Sequence, residues 1–141
     1  MPEERVPVVL VVDDEEDIRM VLQARLETAG YEVRTAINGM EALDQIRSSP
    51  PDLVILDVML PGIDGFGVCA MIKRDQRYSR IPVILLTARS QPQDRATGAA
   101  LGADAHLLKP FRADELLAEV RRLLDGRGAA NERVPATETA A

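Results

Sequence analysis

A run of four aliphatic residues in the middle of the chain ends in a carboxylate. Leu53 to Leu56 is followed directly by Asp57, and Pro50-Pro51 and Pro61-Gly62 stand on either side of the run. A short apolar run between turn residues is typical of a strand that is buried on both faces. Open α/β sheets bind their ligands beyond the carboxyl ends of their strands, so this strand is predicted to present Asp57 to a crevice.

The rest of the chain repeats this form. Apolar runs of strand length alternate with segments whose apolar residues recur at helical spacing, and the strand–helix unit occurs five times. This alternation predicts an α/β domain with a five-stranded parallel sheet and helices on both faces. Four of the strands end in polar or charged side chains, namely Asp13 with Asp14, Asp57, Thr87 and Lys109.

Several local predictions concern the helices. The residues expected to face inward from the first helix are Ile18, Val21, Leu22, Leu26 and Ala29. Asn38 followed by Glu41 is the pattern of a capping box and predicts the start of the second helix. The fourth helix is expected to begin near Pro92 and has Gly98 in its interior. Its apolar face consists only of Ala96, Ala99 and Ala100. Because alanines bury little area, we expect this helix to be held weakly.

Length and composition favour one domain. The chain has 141 residues, of which 46% are hydrophobic, and this is enough for one core. We expect the folded domain to span residues 8–125, with its last helix running from Ala113 to Leu124. Residues 1–7 are predicted to form a flexible lead-in and residues 126–141 a disordered tail, because neither segment shows apolar periodicity.

Charge and cysteine content exclude several classes of protein. The net charge of −6 and the pI near 4.8 argue against nucleic acid and anionic membranes as partners. The one cysteine, Cys69, rules out an internal disulfide, and no segment has the form of a signal peptide or a membrane span. We therefore expect a soluble, cytoplasmic protein.

The acidic strand ends predict a cation site. If the first and third strands are neighbours, then Asp13, Asp14 and Asp57 converge, and each close pair of anions costs on the order of a few kcal/mol. Oxygen ligands of this kind suit Mg²⁺, held by Asp14 and Asp57 directly and by Asp13 through water. With Lys109 and Thr87 nearby, the site has what phosphoryl transfer requires, and Asp57 is the best-placed nucleophile.

The same residues carry a resemblance to a known family. The segments VLVVDDEEDIR, LVILDVMLPGIDGF, PVILLTA and GADAHLLKPF resemble the receiver domain of two-component response regulators, over a region from Val8 to about Leu124. The resemblance implies a flavodoxin-like sheet of order 2-1-3-4-5 and transfer of phosphate from a histidine kinase or phosphotransfer protein to Asp57. It also implies that the backbone carbonyl of Met59 binds Mg²⁺ and that the Lys109-Pro110 peptide is cis.

One residue departs from the family pattern. Receiver domains usually place Tyr or Phe where this chain has His106, its only histidine. Imidazole is smaller than phenol and can carry charge, so we expect a switch in which Thr87 moves toward the phosphate and His106 and the fourth helix shift with it. The fourth helix, fifth strand and fifth helix would then form a face for a downstream effector protein or for a phosphorylation-linked dimer of an otherwise monomeric chain.

Several alternatives stay open or fail on particular residues. The domain could pass phosphate on as a shuttle or sink in a phosphorelay, or act as a pseudo-receiver adaptor that never takes it. A haloacid-dehalogenase-like phosphatase needs a second acid two residues after the nucleophile, where this chain has Met59, so we expect no enzyme beyond slow self-hydrolysis. A nucleotide or flavin domain fails because acids follow Val12, and no glycine-rich phosphate loop is present.

Overall fold

Strands and helices alternate along the described part of the chain. The computed structural model describes residues 5–88 and 93–132, with side chains described as far as residue 126. The strands are β1 (Val8–Val12), β2 (Glu32–Ala36), β3 (Leu53–Asp57), β4 (Val83–Ala88) and β5 (Ala105–Lys109). The helices are α1 (Glu16–Thr28), α2 (Gly39–Ser48), α3 (Gly65–Arg74), α4 (Gln93–Ala100) and α5 (Ala113–Glu132).

The strands form one parallel sheet in the order β2-β1-β3-β4-β5, which confirms the predicted flavodoxin-like fold. Every residue of β1 and β3 is buried, as expected of interior strands that helices cover on both faces. The edge strand β2 is partly exposed. Because all strands run in the same direction, their carboxyl ends lie along one edge of the sheet.

Two apolar clusters cover the two faces of the sheet. On one face, Leu22 and Leu26 of α1 and Leu116 and Val120 of α5 pack against alternate strand residues such as Ile55. On the other face, residues of α2 and α3 pack against the intervening strand residues. The members from these two helices are Ala42, Leu43, Ile46, Val68, Cys69 and Ile72. This alternation of faces along each strand is the period of two that strand geometry imposes.

The turns after β2 and β3 bring two helices close to the carboxyl edge of the sheet. Asn38 Oδ1 accepts a hydrogen bond from Glu41 N at 2.8 Å, and Glu41 Oε1 accepts one from Ile37 N at 2.9 Å, which confirms the capping box at the start of α2. At the start of α3, a Cβ on Gly65 would lie 2.7 Å from Val58 Cα. The absence of a side chain at Gly65 therefore lets α3 begin directly against the end of β3.

Two predictions about helix faces are wrong. Val21 of α1 is 58% exposed and Ala29, at the end of the helix, is exposed as well. The buried residues of α1 are Leu22 and Leu26, and Ile18 is partly buried beside them. In α4 the alanines of the predicted apolar face are exposed and Gly98 is the buried residue. A Cβ at Gly98 would overlap His106 Nε2 and lie 2.6 Å from Leu85 Cδ1, so α4 approaches the sheet through glycine backbone. This narrow contact agrees with the expectation that α4 is held weakly.

The ends of the described chain differ from the predicted boundaries. Helix α5 continues to Glu132, so residues 126–132 are helical where a disordered tail was expected. At the other end, the Arg5 guanidinium donates two hydrogen bonds to Asp52, at 3.0 and 2.7 Å, and Asp52 also accepts from Val8 N. Residues 1–4, 89–92 and 133–141, including the predicted helix start at Pro92, lie outside the described residues. None of the described helices has the length and apolarity needed to cross a lipid bilayer.

Candidate functional site

Three carboxylates meet at the carboxyl edge of the sheet. Asp13 and Asp14 follow β1, and Asp57 ends β3, which is the direct neighbour of β1 through pairing of Val12 with Leu56. One oxygen from each of the three carboxylates lies within 4.8 Å of the others. Asp13 is fully buried and Asp57 is 3% exposed, whereas Asp14 faces solvent. The sequence prediction that these acids converge is confirmed.

Backbone amides hold one oxygen of each buried carboxylate. Asp13 Oδ1 accepts a hydrogen bond from Glu15 N at 2.9 Å, and Asp57 Oδ1 accepts one from Met59 N at 3.1 Å. The second oxygen of Asp13, Oδ2, is buried and makes no hydrogen bond with residues 5–88 or 93–126. Buried acceptors of this kind are normally satisfied, so the arrangement leaves a position for a cation or an ordered water.

Lys109 supplies the positive charge closest to these acids. Its ammonium nitrogen lies 3.1 Å from Asp57 Oδ2 and 3.7 Å from Asp13 Oδ2, and its side chain is 28% exposed. The lysine reaches this position from the end of β5, and the Lys109-Pro110 peptide that follows is cis, as the family resemblance implied. Lys109 therefore neutralises part of the charge of the two buried carboxylates and remains accessible from solvent.

Burial, together with the neighbouring acids, raises the pKa of Asp13 to about 6. Burial is the largest cause, and repulsion from Asp57 and Asp14 adds to it, while the amide of Glu15 and the ammonium of Lys109 act in the opposite direction. One lysine therefore does not compensate for all three acids. An all-oxygen donor set with one buried, unsatisfied oxygen and surplus negative charge fits Mg²⁺. Asp13, Asp14 and Asp57 are the residues that would hold it.

Thr87 lies at the end of the strand next to β3. Leu86 pairs with Asp57, so Thr87 is one residue beyond the level of the carboxylate, and Leu108 is its partner on β5. The threonine is 1% exposed, and its buried hydroxyl has no hydrogen-bond partner among the described residues. A buried hydroxyl without a partner at this edge of the sheet is available to donate to a bound oxygen.

His106 lies on the same face of the sheet as Thr87, the face that α4 covers. It pairs with Leu85, two residues before Thr87, and its imidazole packs against Gly98. Its Nε2 is buried and has no hydrogen-bond partner in the part of the chain that the structure describes. The pKa of His106 is lowered, first by burial and then by Arg95, against the opposing effect of Asp94. The neutral imidazole therefore suits this contact better than the charged one.

The structure brings together four of the predicted site residues and places two others near them. Asp13, Asp14, Asp57 and Lys109 form one cluster, while Thr87 and His106 lie on the adjoining strands without a direct bond to it. Met59 donates its backbone N–H to Asp57 and leaves its side chain 70% exposed, and the predicted role of its carbonyl toward Mg²⁺ stays a prediction.

Sequence reasoning missed one polar contact of the site. Arg19 Nη1 donates a hydrogen bond to the backbone carbonyl of Asp13 at 2.8 Å. The sequence does contain a sign of this contact, namely an arginine near the start of the helix that follows the acidic residues. A long side chain at that position can reach back over the preceding turn.

Two surface depressions include residues of the cluster. An open groove of about 670 Å³ is lined by Asp14, Met59, Asp64, Phe66 and Asp94 among others. A second, largely apolar pocket of about 430 Å³ is lined by Ile18, Val21, Leu22, Lys109, Pro110 and Phe111. The cluster is therefore accessible to another molecule.

Comparison with known proteins agrees with this geometry. The response regulator receiver domain family matches residues 9–121. The probable transcriptional regulator ycf27 of Cyanophora paradoxa is 50% identical over 116 residues, which are 82% of this chain and 47% of that protein. The DNA-binding dual master transcriptional regulator RpaA of Synechocystis sp. is 45% identical over 118 residues, 84% of this chain and 49% of that protein.

A solved structure matches over nearly its full length. The crystal structure of a response regulator from Chloroflexus aurantiacus superposes with a TM-score of 0.83 at 38% identity and covers 86% of this chain and 99% of that one. By contrast, the chain spans about half the length of the curated relatives. The family match covers the sheet and the carboxylate cluster described above, and the chain belongs to the response regulator receiver domain family.

Proposed function

We propose that this chain accepts a phosphoryl group on Asp57 in a Mg²⁺-dependent reaction and signals through phosphorylation-dependent contact with another protein. The observation that carries the proposal is the convergence of Asp13, Asp14 and Asp57 with Lys109 at one accessible edge of the sheet. The family to which the chain belongs supports the same chemistry.

Each residue of the cluster has a distinct role in this proposal. Asp57 is the nucleophile, oriented by the N–H of Met59 on one oxygen and by Lys109 on the other. Asp14 and Asp57 would hold Mg²⁺ directly, Asp13 would hold it through water, and the carbonyl of Met59 would be the remaining protein ligand. Bound Mg²⁺ neutralises negative charge on the carboxylates and on the incoming phosphoryl oxygens.

The transfer itself needs no further acid or base. A carboxylate oxygen of Asp57 attacks phosphorus in line with the leaving group, and the new P–O bond forms as the P–N bond of a phosphohistidine breaks. The electron pair of that bond returns to the imidazole nitrogen of the donor. Lys109 then pairs with one phosphoryl oxygen, and the Thr87 hydroxyl, which has no partner in this structure, donates to another.

The phosphoryl donor is a protein, either a histidine kinase or a histidine phosphotransfer protein. The groove beside Asp14 and Met59 and the apolar pocket beside Lys109 leave room for a protein surface that carries the donor histidine. The relatives named as transcriptional regulators are about twice as long as the matched region, and one of them, RpaA, is named as a DNA-binding regulator. For the part of the protein described here we propose protein contact, and no nucleic acid.

The output of phosphorylation is a shift of α4. When Thr87 moves toward the phosphate, His106 follows into the space that it leaves, and the contact of the imidazole with Gly98 is lost. This change alters the face formed by α4, β5 and α5, where an effector or a second copy of the chain binds. The second candidate is a shuttle or sink that passes its phosphate on, which the accessibility of the cluster also favours.

The test is the intact mass of the protein after incubation with acetyl phosphate and Mg²⁺. We expect wild type to gain about 80 Da, the mass of one phosphoryl group. Asp57→Asn should gain nothing, and wild type with excess chelator should gain nothing. Asp64→Asn is the matched control, because Asp64 lines the same groove but only caps α3. Modification of Asp57→Asn, or of wild type without metal, would contradict the proposal, and an unmodified wild type would favour the pseudo-receiver.

A further inference from the structure

Arg19 binds the backbone of the loop that carries two of the proposed metal ligands. It lies in the second turn of α1, is half-buried, and donates from Nη1 to the carbonyl oxygen of Asp13 at 2.8 Å. Its own N–H donates to the carbonyl of Glu15 at 3.1 Å, so the helix that holds Arg19 starts inside the same loop. Arg19 therefore links the first two turns of α1 to the end of β1.

The contact completes a three-point attachment of Asp13. The N–H of Asp13 donates to the Ala36 carbonyl at 3.2 Å, which ties the residue to the end of β2. Its side chain accepts from Glu15 N, and its carbonyl accepts from Arg19. Hydrogen bonds therefore hold the N–H, the side chain and the carbonyl of Asp13.

The carbonyl that Arg19 binds belongs to the peptide that joins Asp13 to Asp14. Because a peptide unit is planar, fixing the direction of this carbonyl also fixes the direction in which the chain enters Asp14. The carboxylate of Asp14 is exposed and makes no hydrogen bond with any of the described residues. Its position within 4.8 Å of the other acids therefore depends on the backbone that Arg19 holds.

The chemistry of arginine suits this role. A guanidinium is a cation with several N–H donors in a fixed plane, so its hydrogen bond to a carbonyl oxygen is charge-assisted and directional. A lysine could offer the charge and one donor, whereas a neutral apolar side chain of similar length could offer neither.

We propose that Arg19 is a positioning residue for Mg²⁺ binding: its hydrogen bond to the Asp13 carbonyl orients the Asp13–Asp14 peptide so that Asp14 reaches the metal. This inference rests on the proposed function, because it assumes that Asp13, Asp14 and Asp57 hold Mg²⁺. Arg19 touches neither metal nor phosphate and acts only through the loop.

The test compares Mg²⁺ affinity, measured by titration calorimetry, for wild type, Arg19→Met, Arg19→Lys and Arg25→Ala. Methionine keeps the helix propensity and the apolar stem of arginine but has no donor. Arg25→Ala removes an exposed arginine from the last turn of the same helix and is the matched control. We expect the Mg²⁺ dissociation constant to rise about tenfold in Arg19→Met, the usual effect of losing a group that orients a ligand. Arg19→Lys should recover most of the affinity, and Arg25→Ala should match wild type.

A second readout separates positioning from a merely structural effect. We expect the rate of phosphorylation of Arg19→Met by acetyl phosphate to fall at low Mg²⁺ and to return to within about twofold of wild type at saturating Mg²⁺, since only metal binding is affected. Equal Mg²⁺ affinity in Arg19→Met and Arg25→Ala would overturn the inference, as would an Arg19→Lys variant no better than Arg19→Met. If wild type itself bound no Mg²⁺ or accepted no phosphate, the proposed function would fail first.

Discussion

Replacing Asp13 by asparagine should stabilise the metal-free protein at neutral pH. Asp13 is fully buried, and burial together with the neighbouring acids raises its pKa from 3.8 to about 6. Asparagine keeps an oxygen that can accept the hydrogen bond from Glu15 N, but it never ionises. The substitution therefore removes a buried charge while preserving shape and the one hydrogen bond that the side chain makes.

The size and the sign of the effect follow from the pKa. In the folded state Asp13 binds its proton more tightly than in the unfolded chain. Its contribution to stability is therefore fully present below pH 3.8 and is lost as the pH rises through about 6. A difference of about two pKa units corresponds to about 3 kcal/mol. Asp13→Asn should be more stable than wild type by about this amount at pH 7.5, and by much less at pH 4.5.

Urea unfolding in the presence of chelator, at pH 4.5 and pH 7.5, measures this difference. The two proteins should have the same denaturant dependence, so that midpoints can be compared directly. Asp17→Asn, which changes an exposed acid in the first turn of α1, is the control and should alter stability by no more than about 0.5 kcal/mol. Mg²⁺ should stabilise wild type more than Asp13→Asn and so reduce the gap between them. An equal advantage of Asp13→Asn at both pH values would refute the reasoning.

Three further predictions concern the contact between α4 and β5 and the start of α2. Burial lowers the pKa of His106 below 6.5, so the neutral imidazole contributes to stability above pH 6.5, and this contribution should be lost as the pH falls toward the folded-state pKa. In urea unfolding at pH 5.5 and 7.5, the stability of His106→Gln should therefore depend less on pH than that of wild type. Gly98→Ala should lower the free energy of unfolding by about 1 to 3 kcal/mol despite the better helix propensity of alanine, because its Cβ would overlap the imidazole of His106. In a double-mutant cycle, His106→Ala should recover much of this lost stability. Asn38→Ala should cost about 1 kcal/mol in urea unfolding through loss of the cap on Glu41 N, and Asn38→Asp should not.

The sheet and the carboxylate cluster could be predicted from the sequence because both follow from strand periodicity. Once β1 and β3 are recognised as buried strands, Asp13 and Asp57 must lie at the same edge, and the structure confirms this. The buried face of a helix was predicted less accurately, since Val21 lies at the margin of the apolar stripe of α1 and is exposed. The burial of Gly98 could not be predicted, because it depends on the imidazole of a residue eight positions later, on another element.

Two other features depend on contacts that sequence spacing does not determine. Arg19 was not predicted to belong to the site because its guanidinium binds a backbone carbonyl, which every residue has, and so no particular partner residue marks the contact. The end of α5 was placed too early because residues 126–141 show no apolar periodicity, whereas the helix continues to Glu132. The Arg19 hydrogen bond and the end of α5 both depend on local geometry, and residue type alone does not determine them.

The distribution of the site over four strand ends has a consequence for synthesis of the protein. Within the described residues, Asp13 is made before Lys109 and before the β5 strand that positions it. A chain in which synthesis had not reached β5 would hold the acids without their lysine and without the last strand of the sheet. The cluster of Asp13, Asp14, Asp57 and Lys109 is therefore complete only after the last strand of the sheet has been made.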